Sequence, residues 1–152
     1  MHFVHESVFD ASVKEVFDFH ASAEALERLQ PPWERTRVVQ PPESLEAGTV
    51  VVVETFVGPL RQRIVAEHTD YVYGVRFVDE MREGPFRSWR HQHLFFEHPR
   101  GCRLRDEIDY EPPFGWLGRL MAPLVIERRL QRMFEYRHEV TRDAVMSARE
   151  GV

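Results

Sequence analysis

Two histidines of the sequence, His91 and His93, have a spacing that could support chemistry. They stand two residues apart, between Trp89 and Phe95, and residues two apart in a β-strand project from the same face. Two imidazoles on one face can bind a transition metal if a carboxylate joins them. Because no third histidine follows at a metal-motif spacing, we expect no metal and no other cofactor. We interpret both histidines as hydrogen-bonded residues of a cavity wall, with an outward-facing surface position as the alternative.

Two aspartates, Asp79 and Asp106, are each the only acidic residue on an otherwise apolar strand face. A buried carboxylate is costly unless it is paired or hydrogen-bonded, and burial raises its pKa. One interpretation makes them acid–base groups of a cavity. The other, which we favour, makes them structural partners of the two histidines or of a backbone turn near Gly84. Together with Glu54, they are also the carboxylates that could complete a metal site.

Other kinds of chemistry find no support in the sequence. No serine lies in a G-x-S-x-G motif. The single cysteine, Cys102, excludes an internal disulfide and a cysteine-based metal cluster. Gly115 and Gly118 lack the preceding strand and the third glycine of a phosphate-binding loop. We expect them to let the chain turn into the following helix.

Composition limits the partners. The net charge is −5 at pH 7 and no basic stripe is interleaved with aromatic residues, so we expect no nucleic-acid partner. No apolar run approaches about 18 residues, and no signal-peptide core opens the chain, which predicts a cytoplasmic protein without a membrane span. A chain of 152 residues, 43% of them hydrophobic, is long enough for one domain with its own core.

Hydrophobic periodicity predicts the elements that must position these residues. Period-two alternation indicates one N-terminal strand and, after two short helices, six further strands. The predicted strands are 2–10, 34–40, 49–57, 60–67, 71–81, 87–98 and 102–111. A tight turn at Gly58-Pro59 and a type I turn over residues 98–101 give short connections, which join antiparallel neighbours.

A long helix is predicted over residues 122–147, where apolar residues recur at steps of three and four. At about 1.5 Å per residue, it would cross the whole width of a compact chain of this size. We interpret the apolar segment 115–123 as a short helical turn packed on this helix. A lid over a cavity, a membrane-touching turn and a dimer contact are the alternatives, so a homodimer is among the candidate partners.

Alternation also assigns the inner faces of several strands. The inner face of strand 102–111 is predicted to carry Cys102, Leu104, Asp106, Ile108 and Tyr110. In strand 71–81 the odd-numbered residues are predicted to face inward. Strand 87–98 is ambiguous, because both faces mix polar and apolar residues: Trp89, His91, His93 and Phe95 alternate with Ser88, Arg90, Gln92, Leu94 and Phe96.

These elements predict an α+β fold for residues 1–152, a single domain in which a seven-stranded antiparallel sheet curves around one long C-terminal helix and two short helices close one end. A long helix cannot fill the trough of a twisted sheet, and the remaining hollow is a common kind of ligand site. The predicted lining residues are Trp33, Phe56, Phe77, Trp89, His91, His93, Phe95, Asp106, Tyr110, Met121, Leu130 and Phe134. The apolar members would provide contact area, and the polar ones would orient a polar end of the ligand.

The order of elements resembles that of the START-like, or helix-grip, superfamily, which includes SRPBCC, Bet v 1-like and polyketide cyclase proteins. Residues 77–95 are similar to a bacterial SRPBCC subgroup with the pattern F-x-D-x-x-x-x-G-P-F-x-x-W-x-H-x-H-x-F. Residues 106–118 fit its continuation, D-x-x-x-Y-x-x-P-x-G-x-L-G. This subgroup occurs alone or fused to an NAD-dependent, epimerase-like domain. The resemblance implies a helix-grip fold with a cavity, and no particular reaction.

The function predicted from these observations is binding of a small hydrophobic or amphipathic molecule in the sheet–helix cavity, without catalysis. Two alternatives belong to other classes. One is a cyclase or dehydratase that uses His91 or His93 with Asp79 or Asp106. The other is an accessory interaction module for a separately encoded NAD-dependent, epimerase-like oxidoreductase.

Overall fold

A seven-stranded antiparallel sheet forms the body of the protein in a computed structural model, which describes residues 1–57 and 59–150. The strands are β1 (His2–Phe9), β2 (Thr36–Gln40), β3 (Val50–Val57), β4 (Leu60–Val72), β5 (Arg76–Glu83), β6 (Ser88–His98) and β7 (Gly101–Glu111). Their order is β1-β7-β6-β5-β4-β3-β2, so the first strand pairs with the last. The predicted Gly58-Pro59 turn contains Gly58, which lies outside the described residues.

Three helices accompany the sheet in the described part of the chain: α1 (Val13–His20), α2 (Ala25–Arg28) and α3 (Gly115–Glu150). Ser12 and Glu15 form a capping box at the start of α1, in which each side chain accepts a hydrogen bond from the other residue's backbone N–H. Pro31 follows α2 and cannot continue it. The predicted α+β class, with a seven-stranded sheet and a long C-terminal helix, is confirmed.

The boundary between β4 and β5 differs from the predicted one. β4 continues through Tyr71, and the turn to β5 occupies residues 73–75, where Gly74 has a φ of 69°. Glycine adopts this left-handed conformation without strain. The β4–β5 ladder shifts register between His68 and Asp70. This irregularity breaks the period-two pattern, which is why the sequence suggested that a strand ended there.

α3 begins earlier than predicted and absorbs the apolar segment that precedes Pro123. Phe114 and Gly115 both have positive φ angles, 66° and 57°, and turn the chain from β7 into the helix. At Gly118 a Cβ atom would lie 1.8 Å from the carbonyl oxygen of Pro113, so a larger residue could not pack there. Pro123 lies inside the helix, where it removes one backbone hydrogen bond.

The two halves of α3 have different surroundings. Its second half buries one stripe against the sheet and α1, made of Leu130, Phe134, His138, Thr141 and Val145. Around its first turns, seven apolar residues are 45% to 82% exposed: Phe114, Trp116, Leu117, Leu120, Met121, Leu124 and Val125. No helix in the described ranges combines the length and apolarity needed to span a membrane.

Two apolar clusters hold the sheet and helices together. The first joins α1, the sheet and the end of α3, with Phe17, Leu104 and Val145 among its members. The second joins the sheet to the middle of α3 through Ile108 and Phe134. The buried alternation of β7, from Cys102 to Tyr110, confirms the inner face predicted for that strand.

Candidate functional site

A cavity of about 380 Å³ lies between the sheet and α3, with α2 at one side. This volume is within the range of small-molecule sites, about 300–1,000 Å³. Most of the wall is apolar, and β3 and β4 contribute Val51, Val53, Ile64 and Ala66. β5 and β6 contribute a polar cluster, Asp79, His91 and His93, which we call the polar end of the cavity. Other elements add further polar side chains to the lining, among them Glu34, His68, Arg129 and Arg137.

Five of the predicted lining residues do line this cavity: Phe77, Trp89, His91, His93 and Leu130. The face of β6 that the sequence left undecided is therefore the odd-numbered one. The pairing of β6 with its two neighbours fixes that face, because Asp79 on β5 is opposite His91 and Asp106 on β7 is opposite His93.

Four other predicted residues are buried but stand outside the cavity wall. Phe95 belongs to the apolar cluster around α1, and Tyr110 and Phe134 belong to the cluster under α3. Asp106 is 2% exposed and lies behind the two histidines. These residues are buried as predicted, but they do not line this cavity.

The remaining three, Trp33, Phe56 and Met121, lie on the surface, and the prediction that they line the cavity is wrong. Trp33 packs edge-on against Tyr136 outside the cavity. Phe56 is 40% exposed, whereas Val51, Val53 and Thr55 of the same strand line the cavity. Met121 belongs to the exposed first half of α3.

Asp106 is the centre of a buried polar network at the end of the cavity. Its Oδ1 accepts a hydrogen bond from Nε2 of His91 at 2.8 Å, and its Oδ2 accepts one from Nε2 of His138 at 2.7 Å. Nδ1 of His93 also lies 2.8 Å from Oδ1, outside hydrogen-bond direction. The Nδ1 of His138 in turn contacts the hydroxyl of Ser7 at 2.8 Å. One carboxylate thus links β6, β7, α3 and, through Ser7, β1.

Asp79 faces the same pair of histidines from the cavity side. Its Oδ2 lies 3.5 Å from Nδ1 of His91 and 3.4 Å from Nε2 of His93. The two imidazole rings are 3.8 Å apart between centroids. The ring of Phe77 stacks on His93 at 3.9 Å, which fixes the orientation of that imidazole.

The electrostatics of the network favour ionised carboxylates with histidines around them, since the pKa values of both Asp106 and Asp79 are lowered. Burial alone would raise the pKa of Asp106, but the charge of His93 and the hydrogen bonds from His138 and His91 outweigh it and hold the pKa well below its usual value. Burial and the neighbouring His93 lower the pKa of His91. The pKa of His93 is raised, because its two aspartate neighbours outweigh its burial.

Sequence reasoning missed three polar residues of this region. His138 lies on the buried stripe of α3, one turn after Phe134, and a histidine at a core position of a helix was the available signal. Arg137 lines the cavity, and burial lowers its pKa. His20 lines the cavity at the end of α1, and burial lowers its pKa to about 4, so it is neutral at pH 7. No separate signal in the sequence pointed to Arg137 or His20.

The fold and the cavity define a helix-grip protein of the START-like, SRPBCC superfamily. The model of the family "Polyketide cyclase / dehydrase and lipid transport" matches residues 9–139. The chain therefore belongs to this family. No curated protein matches the chain at a significant level.

Solved structures show the same fold at low sequence identity. A protein of Thermus thermophilus is 19% identical, with a TM-score of 0.75 over 97% of this chain and 99% of that one. The di-domain ARO/CYC StfQ of the steffimycin biosynthetic pathway is 14% identical, with a TM-score of 0.77 over 99% of this chain and 52% of that one. A nucleoside-diphosphate sugar epimerase of Corynebacterium glutamicum is 23% identical, with a TM-score of 0.68 over 94% of this chain and 28% of that one.

Proposed function

We propose that the protein binds a small amphipathic molecule in the cavity between the sheet and α3. The observation that supports this most directly is a cavity lining that combines apolar side chains with the polar cluster of Asp79, His91 and His93. The apolar body of a ligand would make the van der Waals contacts that the side chains around an empty cavity lack. The family description, which includes lipid transport, supports the same class of ligand.

A guanidinium in the lining favours a ligand head that carries negative charge or accepts hydrogen bonds. Arg137 lines the cavity, and its Nε donates to the backbone oxygen of Leu29 at 3.2 Å. Among the described residues, no carboxylate forms an ion pair with Arg137. A guanidinium buried this way can bind a carboxylate through its remaining N–H groups. We therefore expect fatty or isoprenoid acids to bind more tightly than the matching alcohols.

Thermal shift with defined ligands tests the proposal. At 100 times its dissociation constant a ligand adds about 2.7 kcal/mol to the free energy of unfolding, which for a chain of this size raises Tm by roughly 5–10 °C. Fatty acids, isoprenoid acids, sterols and aromatic polyketides are compared, each acid with its alcohol. Replacing Ala66 in the cavity wall with phenylalanine should abolish the shift, whereas Ala148→Phe on the exposed face of α3 should retain it.

The acid–alcohol comparison is sharpened by Arg137→Gln. We expect the acid and its alcohol to give equal Tm shifts with this variant, because the substitution weakens binding of the acid alone. If no ligand class raises Tm in the parent protein, or if Ala66→Phe leaves the shift intact, the binding proposal is wrong. An equal loss of acid and alcohol binding in Arg137→Gln would contradict the role given to the guanidinium.

A second candidate function is acid–base chemistry on the bound molecule. The observation that favours it is the position of Asp79 beside His91 and His93 in the cavity wall. A histidine with an aspartate partner can transfer protons in an aldol or dehydration step. A polyketide that binds in the thermal-shift assay is incubated with the protein, and loss of water is followed by mass spectrometry. His93→Gln should stop turnover while the ligand still raises Tm.

A further inference from the structure

Three side chains at the polar end of the cavity converge on one point. The Oδ2 atom of Asp79 lies 3.5 Å from Nδ1 of His91 and 3.4 Å from Nε2 of His93. The three ligand atoms all lie within 4.8 Å of one another. Good N–H···O hydrogen bonds measure about 2.7–3.2 Å. Two ligands bound about 2.1 Å from a tetrahedral metal ion stand about 3.4 Å apart, which is the spacing found here.

The proton of His91 is directed away from Asp79. Nε2 of His91 donates to Oδ1 of Asp106 at 2.8 Å, and an ionised carboxylate only accepts hydrogen bonds. A neutral imidazole that carries its proton on this side has a lone pair on its other nitrogen. In His91 that nitrogen, Nδ1, faces the carboxylate of Asp79. A cation beside the two relieves their repulsion, and a metal ion bound by all three side chains would be such a cation.

Asp106 has the position of the carboxylate that commonly stands behind metal-bound histidines. Such a carboxylate fixes the tautomer and the orientation of the ring and makes the ligand more basic. The other oxygen of Asp106 is held by His138, which Ser7 holds in turn. Asp106 and His138 are 2% and 3% exposed. The support behind the two imidazoles is therefore rigid and already formed by the fold.

We propose that Asp79, His91 and His93 bind a divalent first-row transition metal ion, with coordination positions left open towards the cavity. Two imidazoles and one carboxylate suit zinc or iron(II), whereas magnesium and calcium prefer oxygen ligands alone. Three protein ligands with an open position are the arrangement of catalytic metal sites. The sequence predicts no metal because no third histidine is spaced for one. The third ligand is instead the aspartate of the neighbouring strand.

This proposal goes beyond the binding of an organic molecule and stands without it, so the test uses metal alone. The full chain, purified without a tag and stripped with a chelator, is titrated with Co²⁺ while its visible absorption is followed, and Zn²⁺ then competes. We expect one equivalent per chain, displaced by Zn²⁺, and a rise in Tm with Zn²⁺ because the ion binds the folded state. Absence of saturable Co²⁺ and Zn²⁺ binding to the parent protein would overturn the proposal.

Substitutions locate the ion. His91→Ala, His93→Ala and Asp79→Asn should each abolish stoichiometric binding, and Asp106→Asn should weaken it by about 10- to 100-fold. His98→Ala is the matched control, because His98 belongs to the same strand but lies outside the cavity wall. One equivalent that persists when both His91 and His93 are replaced would assign the binding to surface residues and contradict the proposal.

A measurement on the unsubstituted chain covers the case in which a variant fails to fold. Long-range ¹H–¹⁵N spectra resolve the imidazole nitrogens of the eight histidines. Zn²⁺ should shift Nδ1 of His91 and Nε2 of His93, the two nitrogens that face Asp79. The imidazole of His98 should stay unchanged. Shifts confined to other histidines would overturn the site.

Discussion

The two halves of α3 belong to one continuous helix, yet they differ in how far their apolar side chains are buried. From Leu130 onwards the helix is attached to the sheet by apolar contacts and by the His138–Asp106 hydrogen bond, and to α1 by the ion pair of Arg149 with Glu15. Before Val125 it presents large apolar side chains to solvent. The cavity lies where the attached half gives way to the exposed half, since Val125, Ile126 and Leu130 all line it.

This difference shows that hydrophobicity along a helix does not report burial. Both halves are apolar, but only the second half has its apolar residues on one stripe that meets the sheet. In the first half, the exposed apolar residues, such as Trp116, Leu117 and Leu120, lie on the side of the helix opposite the buried Ala122, and the sheet can cover only one side. The stability of the fold should therefore depend strongly on the second half and weakly on the first.

The largest effect is expected at Phe134, which is 1% exposed and contacts both Phe3 and His91. Phe134→Ala should lower the free energy of unfolding by about 3–5 kcal/mol, because it removes buried contact and leaves a cavity. Urea denaturation at constant pH measures it. Glu139→Ala on the exposed side of the same half is the control and should change stability by no more than about 0.5 kcal/mol. Equal effects of the two substitutions would contradict the attachment of this half to the sheet.

An intermediate effect is expected from the hydrogen bond between His138 and Asp106, which joins α3 to the sheet. Asp106→Asn keeps the shape of the side chain but removes one acceptor and the negative charge, which leaves a buried histidine without a full partner. We expect a loss of about 1–3 kcal/mol in the free energy of unfolding. Metal-free protein is used, so that the effect on packing is separated from any effect on ion binding. A change in the free energy of unfolding that cannot be distinguished from zero would show that this network does not stabilise the packing of α3 on the sheet.

A small effect is expected in the exposed half. Trp116 is 77% exposed, so Trp116→Ala should change the free energy of unfolding by no more than about 0.5 kcal/mol. The same urea denaturation measures this effect, and Phe134→Ala is the reference for a large loss of stability. A loss of several kcal/mol, particularly one that depends on protein concentration, would mean that the exposed half is buried in an assembly in solution.

Another small effect is expected at the far end of α3, and it depends on pH. Hydrogen bonds from Arg149 and Ser12 lower the pKa of Glu15 from 4.5 to about 2. A carboxyl whose folded-state pKa is depressed stabilises the protein above the unfolded pKa, and this contribution is lost as the pH falls towards the folded value. Because both side chains are largely exposed, solvent screening limits the contribution to about 1 kcal/mol or less.

The substitution Glu15→Gln isolates this charge, since glutamine can still close the capping box with Ser12. We expect the variant to be less stable than the parent at pH 6 and equally stable near pH 2, with the difference disappearing between about pH 4.5 and pH 2. Chemical denaturation at each pH gives the comparison. A difference that stays constant across this range would assign the effect to the cap and not to the ion pair.

The sequence by itself determined the class of fold and the order of its elements. Period-two and period-3.6 patterns are local, so they survive without knowledge of the tertiary structure. They also determined the inner face of β7, where charged and apolar residues alternate cleanly from Cys102 to Tyr110. Where alternation was weak, as between His68 and Asp70, the predicted boundary was wrong.

The tertiary structure alone decided which face of β6 is inside and what surrounds its histidines. Leu94 and Phe96 are as apolar as the residues on the opposite face, so hydrophobicity gave no answer, and strand pairing did. It also brought His138 to Asp106 across 32 positions of sequence. The surface position of Trp33 and the buried one of Arg137 likewise depend on where α3 crosses the sheet. Contacts between distant segments depend on that crossing, which no local pattern encodes.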